Sequence, residues 1–473
     1  MTRLVVGPFN RVEGDLEVTL DIEDGRVRSA QVNAPLFRGF EVMLQGRDPR
    51  DALTITPRIC GICSISQSAA AAFALADAAG ATPPPQAQLA AAILHGVENL
   101  ADHVTHFNLF FMPDFARAAY AGRPWHARAV ERFTATKGSG ARAAVEARAK
   151  LMHITGVLGG KWPHTLAIQP GGMTRTPTLS DKVRMGATLR AFRAHLEQAL
   201  FGDSLEAFAG LTTVAEFAAW STGDAGLFLE IAKDLDLAAL GIGPQRYMSF
   251  GAYPMFNGRA TKPGMLSEGA VSRVDPGDIA EDLTRSWMLG DAAHPYDGLT
   301  EPDENMADSA YSWCKAPRLA GRTAEVGALA RHAVDGHPLA RALAVEGGVR
   351  ARIGGRLLEI ARTQIQLEDW VRTIDPSAAF MSDVTLPQQG HGVGLVEAAR
   401  GSLGHWVRIE DGRIANYQIV APTTWNFSPR DAAGQPGPLE AALEGTPADG
   451  EDATLATQHV VRSFDPCMVC TVH

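Results

Sequence analysis

The chain has 473 residues, 46% of them hydrophobic and 20% charged, and a formal net charge of −10. That balance is ordinary for an enzyme with a large core, and without a basic surplus for phosphates it excludes a nucleic-acid partner. Five cysteines, grouped as two Cys-x-x-Cys pairs plus Cys314, do not make a disulfide framework and fit a reducing, cytoplasmic compartment.

The N-terminal stretch MTRLVVGPFNRVEGD has no apolar signal core. Next, Leu16, Val18, Leu20 and Ile22 alternate as a half-buried strand does, Glu23-Asp24-Gly25 signals a hairpin turn, and the chain returns through Val27. Cys60 and Cys63 follow in RICGICSISQ, opening 18 uncharged residues from Ile59 to Ala76. One Gly, two Cys and four Ser or Gln side chains make that run a buried helix rather than a membrane span. Residues from Pro85 to Tyr120, 184–210, 320–335 and 345–374 carry helical spacing. In the first of these, His95, Asn99, Asp102 and His106 share one face, either a solvent-facing stripe or the polar side of a buried helix turned to a site. Glycine pairs at 159–160 and 171–172 bracket the irregular KWPHTLAIQP. IEDGRV at 22–27 returns as IEDGRI at 409–414, which reads as shared turn chemistry rather than an internal repeat. Asp431–Asp452 reads as a Gly/Pro/Asp-rich loop, and the chain finishes on Cys467 and Cys470 in DPCMVCTVH.

Two thiolates spaced by two residues can grip one metal. Here 403 residues lie between Cys63 and Cys467, so a shared site must be closed by the whole fold and ties residues 1–473 into one domain. Spacing leaves structural zinc, an iron–sulfur cluster and a catalytic soft-metal centre all open.

The flanking residues carry a resemblance. RVEG (Arg11–Gly14), FRGFE (Phe37–Glu41), GRDPRDA (Gly46–Ala52), RICGIC (Arg58–Cys63), GGKWPH (Gly159–His164), HPYDG (His294–Gly298) and YSWCKAPR (Tyr311–Arg318) come in order. EVGALAR (Glu325–Arg331), ARGSLGHW (Ala399–Trp406), PTTWNFSPRD (Pro422–Asp431) and DPCMVCTVH complete the series. Together they resemble the large subunit of nickel–iron hydrogenases over the whole chain. The resemblance implies a mainly α (α+β) fold, a central long-helix bundle with small antiparallel β elements from both chain ends. It implies nickel held by Cys60, Cys63, Cys467 and Cys470, with Cys63 and Cys470 bridging to an iron that carries CO and CN ligands.

By the same resemblance Glu13 relays the proton from Cys467, and Arg400 faces the iron's cyanides, with Asp102 and Asp465 as its carboxylate partners. Pro422 and Thr423 border the cofactor, while Glu41, the Ile419 carbonyl and His473 hold magnesium or another hard divalent cation. With only Cys314 spare, iron–sulfur clusters belong to a small-subunit partner.

Two departures narrow the class. Gln67 stands where the family's CxxCxxxH has its His, which resembles the dihydrogen-sensing regulatory subgroup; an amide does not titrate as imidazole does. Ile62 and Phe110 match gas-channel positions that are bulky in that subgroup. Asp15 and Ala399 replace a commoner His and Pro without a functional explanation. The expectation is a regulatory, dihydrogen-sensing hydrogenase large subunit, not transmembrane, docking a histidine kinase. Its rivals are an energy-conserving uptake hydrogenase, a complex-I-like structural subunit, which typically lacks the four cysteines, and a zinc scaffold.

Overall fold

A computed structural model describes residues 2–255, 257–448 and 454–471. Two long helices form the middle of the molecule: Pro85–Thr105, opened by a proline in its first turn, and Val349–Thr373. Their approach is close because Gly96 faces Leu367 and Trp370; a Cβ there would stand 3.0 Å from Leu367. Ala328–Asp335 packs onto the second helix at Gly355, where a Cβ would meet the Leu329 backbone at 2.7 Å. Leu179–His195 packs on it as well.

Small sheets flank the helices. Thr2–Val6, Glu17–Glu23 and Arg26–Asn33 form an antiparallel sheet near the N-terminus. Gly390–Ala398, Gly401–Glu410 and Arg413–Val420 form another near the C-terminus. In both, the repeated Asp-Gly makes a two-residue turn: Asp24 and Gly25 have φ of 51° and 70°, Asp411 and Gly412 have 50° and 71°. Two consecutive positive φ values match the twist of a tight hairpin, and Asp-Gly supplies them at low cost. The fold is therefore mainly helical with small antiparallel sheets from both ends, as expected.

The run after Cys63 is the buried helix Ser64–Ala78. It lies against the Gly390–Ala398 strand so closely that a Cβ on Gly394 would fall 1.9 Å from the Ala70 carbonyl oxygen. Alanines on the helix and glycines on the strand permit that contact. Among the described residues no helix is long and apolar enough to cross a membrane.

Several sequence expectations shift. The helix expected over 320–335 starts only at Ala328, since Gly327 has φ 141° and breaks the pattern before it. The helix expected over 345–374 is preceded by a separate helix, Pro338–Glu346, ended by Gly347 at φ 73°. The expected loop 431–452 contains a short helix, Pro438–Leu443, begun by proline and capped by Glu440; its last residues, 449–452, lie outside the described ones. The stripe His95, Asn99, Asp102 and His106 is buried, none more than 2% exposed, so the solvent-facing reading fails.

Candidate metal centre

Four distant segments meet at the cysteines. The loop ending at Cys63 enters the Ser64–Ala78 helix, whose free backbone N–H groups at Ile65 and Ser66 are accepted by the Glu98 carboxylate at 2.8 and 2.9 Å. A carboxylate from a neighbouring helix thus caps the helix that carries Cys63 and favours its N-terminal dipole. The C-terminal arm leaves the Leu455–Ser463 helix, reverses at Asp465 (φ 58°) and turns through Cys467 into the 3₁₀ turn Met468–Cys470. The N-terminal segment docks on this arm. Glu13 N–H donates to the Pro466 carbonyl at 3.3 Å and the Met468 N–H donates to the Glu13 carbonyl at 2.7 Å. Gly14, at φ 81°, makes room for Val469, whose backbone N would be 3.1 Å from a Cβ. Arg38 then fastens both cysteine loops together, donating to the carbonyls of Ile59 at 2.5 Å and Val469 at 3.2 Å.

The result is a cluster of four buried thiols whose sulfurs all lie within 4.8 Å of one another. Each motif contributes one sulfur to each close pair: Cys60–Cys467 at 3.4 Å and Cys63–Cys470 at 3.5 Å. Cys467 and Cys470 are 3.1 Å apart. These separations are too long for disulfides, whose sulfurs sit about 2.05 Å apart, and suit thiolates around soft metal. Cys60 is held well below its ordinary thiol range by hydrogen bonds from Cys467, Cys470 and Cys63, whereas Cys63 is pushed well above it by the same contacts. Without a cation the cluster therefore cannot carry four thiolates together, and a soft metal supplies the missing positive charge. Sulfur geometry by itself admits zinc as readily as nickel.

Arg400 sits in the two-residue turn between the Gly390–Ala398 and Gly401–Glu410 strands, where Ala398 pairs with Gly401. Its guanidinium donates to Asp102 at 2.7 Å, to the Asp465 carboxylate at 3.0 Å and to the Asp465 carbonyl at 2.9 Å. All three groups are buried. Burial disfavours the charge on Arg400, but Asp102 and Asp465 outweigh it and keep the group protonated. Glu13 is near enough for Cys60 to act on it: burial first, then Cys60, push its carboxyl up, against Arg400 and Arg38. Pro422 and Thr423 lie in the buried helix Pro422–Asn426, which packs against the Met468–Cys470 turn.

Gln67 is buried one turn beyond Cys63, its Oε1 2.7 Å from His405 Nε2. Ile62, half-buried, donates its N–H to Cys60 Sγ at 3.3 Å, and Phe110, also half-buried, lends its carbonyl to Arg11. Glu41 is completely buried and accepts the Ile419 N–H at 2.7 Å and the Thr300 hydroxyl. The Lys315 ammonium lies 3.3 Å from Glu41 and 2.6 Å from Gln418 Oε1. These oxygen donors suit a hard cation, and Lys315 balances the Glu41 charge; His473 lies outside the described residues.

The sequence did not single out Arg38, Glu98, His405 or Asp114. Asp114 gathers Arg11, Arg117, Arg462 and His459, and so braces the segment leading to Glu13. Arg38 and His405 stand inside quoted motifs, yet their work is on backbone carbonyls and on Gln67, which only the folded chain reveals.

Comparison with known proteins resolves what sulfur geometry leaves open. The family model for nickel-dependent hydrogenase matches residues 38–127 and 142–473. The chain is 30% identical to the periplasmic [NiFeSe] hydrogenase large subunit of Desulfomicrobium baculatum, over 100% of this chain and 95% of that protein. It is 28% identical, at the same coverage, to an uptake hydrogenase large subunit of Afipia carboxidovorans and to the hydrogenase-1 large chain of Escherichia coli. The solved reduced Ni-Fe-Se hydrogenase of D. vulgaris Hildenborough superposes with a TM-score of 0.86 at 29% identity, covering 100% of both chains.

Proposed function

The chain belongs to the nickel-dependent hydrogenase family and is a nickel–iron hydrogenase large subunit; on that premise we propose that it senses dihydrogen rather than harvesting it. Cys60, Cys63, Cys467 and Cys470 would hold the nickel–iron pair, each motif placing one sulfur against one of the other, Cys60 beside Cys467 and Cys63 beside Cys470. When bound, the metals polarise dihydrogen for heterolytic cleavage, the iron carrying CO and CN ligands. Cys467 Sγ takes the proton, and Glu13, paired through its backbone with Cys467, carries it away. Arg400, fixed by Asp102 and Asp465, presents its remaining N–H to the cyanides. Pro422 and Thr423 close that side of the pocket.

Glu41, the Ile419 carbonyl and His473 hold a hard divalent cation, magnesium first. A small subunit supplies the iron–sulfur clusters, and a histidine kinase reads the state of the complex. The whole chain acts as one domain, and its five free, buried cysteines favour a cytoplasmic location.

The observation that carries the sensing reading is Gln67, an amide at the position of the family's imidazole, buried beside Cys63. Bulky Ile62 and Phe110 support it, because a sensor needs occupancy rather than flux and tolerates narrow gas access. The experiment widens that access with Ile62→Val and Phe110→Leu together. The variant is expected to lose activity in air, with little change in dihydrogen affinity, while the unmodified protein survives. The uptake reading has its own support in the uptake enzymes among the relatives. It gains if the unmodified protein is already inactivated by air, or if growth on dihydrogen depends directly on its turnover.

A further inference from the structure

Gln67 is completely buried, on the same face of the Ser64–Ala78 helix as Cys63 and one turn further on. Its backbone N–H donates to the Cys63 carbonyl at 3.1 Å. Its side chain is satisfied on one end only. Oε1 meets His405 Nε2 at 2.7 Å, whereas Nε2 has no hydrogen-bond partner among the described residues. His405 is completely buried, and its Nδ1 lies 2.8 Å from the hydroxyl of Tyr417, completely buried as well. Gly394, directly across the sheet from His405, carries no side chain, and this lets the helix bearing Gln67 approach the strand bearing His405.

The direction of each hydrogen bond follows. The buried Tyr417 hydroxyl has His405 as its partner and donates to Nδ1; the neutral ring, kept so by burial, then carries its proton on Nε2. That proton goes to Gln67 Oε1. The amide N–H groups of Gln67 are thereby turned away from His405 and are buried without a hydrogen-bond partner among the described residues, one helical turn on from the cysteine that enters the sulfur cluster. The reversed amide would set a carbonyl oxygen against thiolates. We infer that His405, oriented by Tyr417, is a positioning residue that locks the Gln67 amide with its N–H groups toward the Cys63 sulfur.

This inference rests on the nickel–iron reading, and its test separates the two. Infrared spectra and nickel contents are measured on the matured protein for the unmodified chain, Gln67→Ala, His405→Phe, the double variant and Tyr417→Phe. A bridging sulfur that loses a donor hydrogen bond pushes more electron density onto iron, so His405→Phe is expected to lower the carbonyl stretch as Gln67→Ala does. The double variant is expected to show the shift of either single one, because both changes remove one interaction. Tyr417→Phe lets the imidazole proton exchange between its nitrogens and is expected to split the carbonyl band in two. Additive shifts, or a carbonyl band unmoved in nickel-loaded His405→Phe, overturn the inference. If His405→Phe takes up no nickel, Tyr417→Phe decides: a split band supports the inference and a single unmoved band overturns it. Absence of carbonyl and cyanide bands in the unmodified, nickel-loaded protein overturns the nickel–iron reading, and this inference with it.

Discussion

At the scale of single residues the strongest contrast lies between two buried cysteines. Cys467 shares the sulfur cluster, whereas Cys314 turns its thiol to the Lys315 carbonyl at 3.2 Å, and burial pushes that thiol well up. Cys467→Ala is expected to abolish nickel binding and dihydrogen splitting, and Cys314→Ala to leave both intact; equal metal loss in the two would refute the division. Glu13→Gln keeps shape and hydrogen bonding but cannot ionise. Exchange of deuterium gas with solvent is expected to fall about 10²-fold or more at unchanged nickel content, and wild-type exchange in that variant would place the proton's exit elsewhere. The convergence of the four cysteines was legible in the sequence because cysteine is rare in this chain and the two motifs are distinctive. Residues that hold them were not. Arg38 binds two carbonyls contributed by opposite ends of the chain, and no local pattern marks such a role.

Among the elements, the Ser64–Ala78 helix places both Cys63 and Gln67, and its height over the sheet is set by Gly392 and Gly394. Gly394→Ala is expected to cost about 1–3 kcal/mol or more, as overpacked cores do, and to impair metal loading by pushing the helix off its strand. Gly156, where nothing lies within 4 Å of a Cβ, serves as the control: Gly156→Ala is expected to be neutral or stabilising by up to about 1 kcal/mol. Comparable melting temperatures for the two variants would contradict the packing argument. The Pro85–Thr105 helix and the turn after it carry His95 and His106, both held by burial at about 3. A histidine near 6.5 when unfolded then binds its proton more readily in the unfolded chain. Stability is therefore lost as pH falls from about 6.5 toward 3, each such group contributing up to about 1.4 kcal/mol per pH unit. The melting temperature is expected to fall between pH 7 and pH 5, and less so in His106→Gln; an undiminished fall in that variant would refute the assignment. Periodicity announced this helix and its polar stripe. It could not say which way the stripe faced, because a polar face looks the same toward water and toward a buried site.

For the whole molecule, the separation of the two cysteine motifs by 403 residues means that the site closes only where the two ends of the chain meet. The Glu13–Cys467 backbone pairing ties the two ends together; the larger hydrophobic cluster draws residues from Val6 to Cys470, and a smaller one gathers around Met248, Phe250 and Trp406. The α-rich architecture with sheets from both ends was readable, since the Asp-Gly turns and the Ala-rich periodic runs are local signals. Helix limits near 327 and 347 were not, because glycines with positive φ override a helical pattern that continues across them. The central claim is that both ends of the chain hold one nickel beside an iron. X-ray absorption at the nickel edge of the matured protein tests it most directly. A first shell of sulfur atoms with iron as the next heavy neighbour is the expected result. A shell of only nitrogen and oxygen, or zinc in place of nickel at the four cysteines, would contradict it.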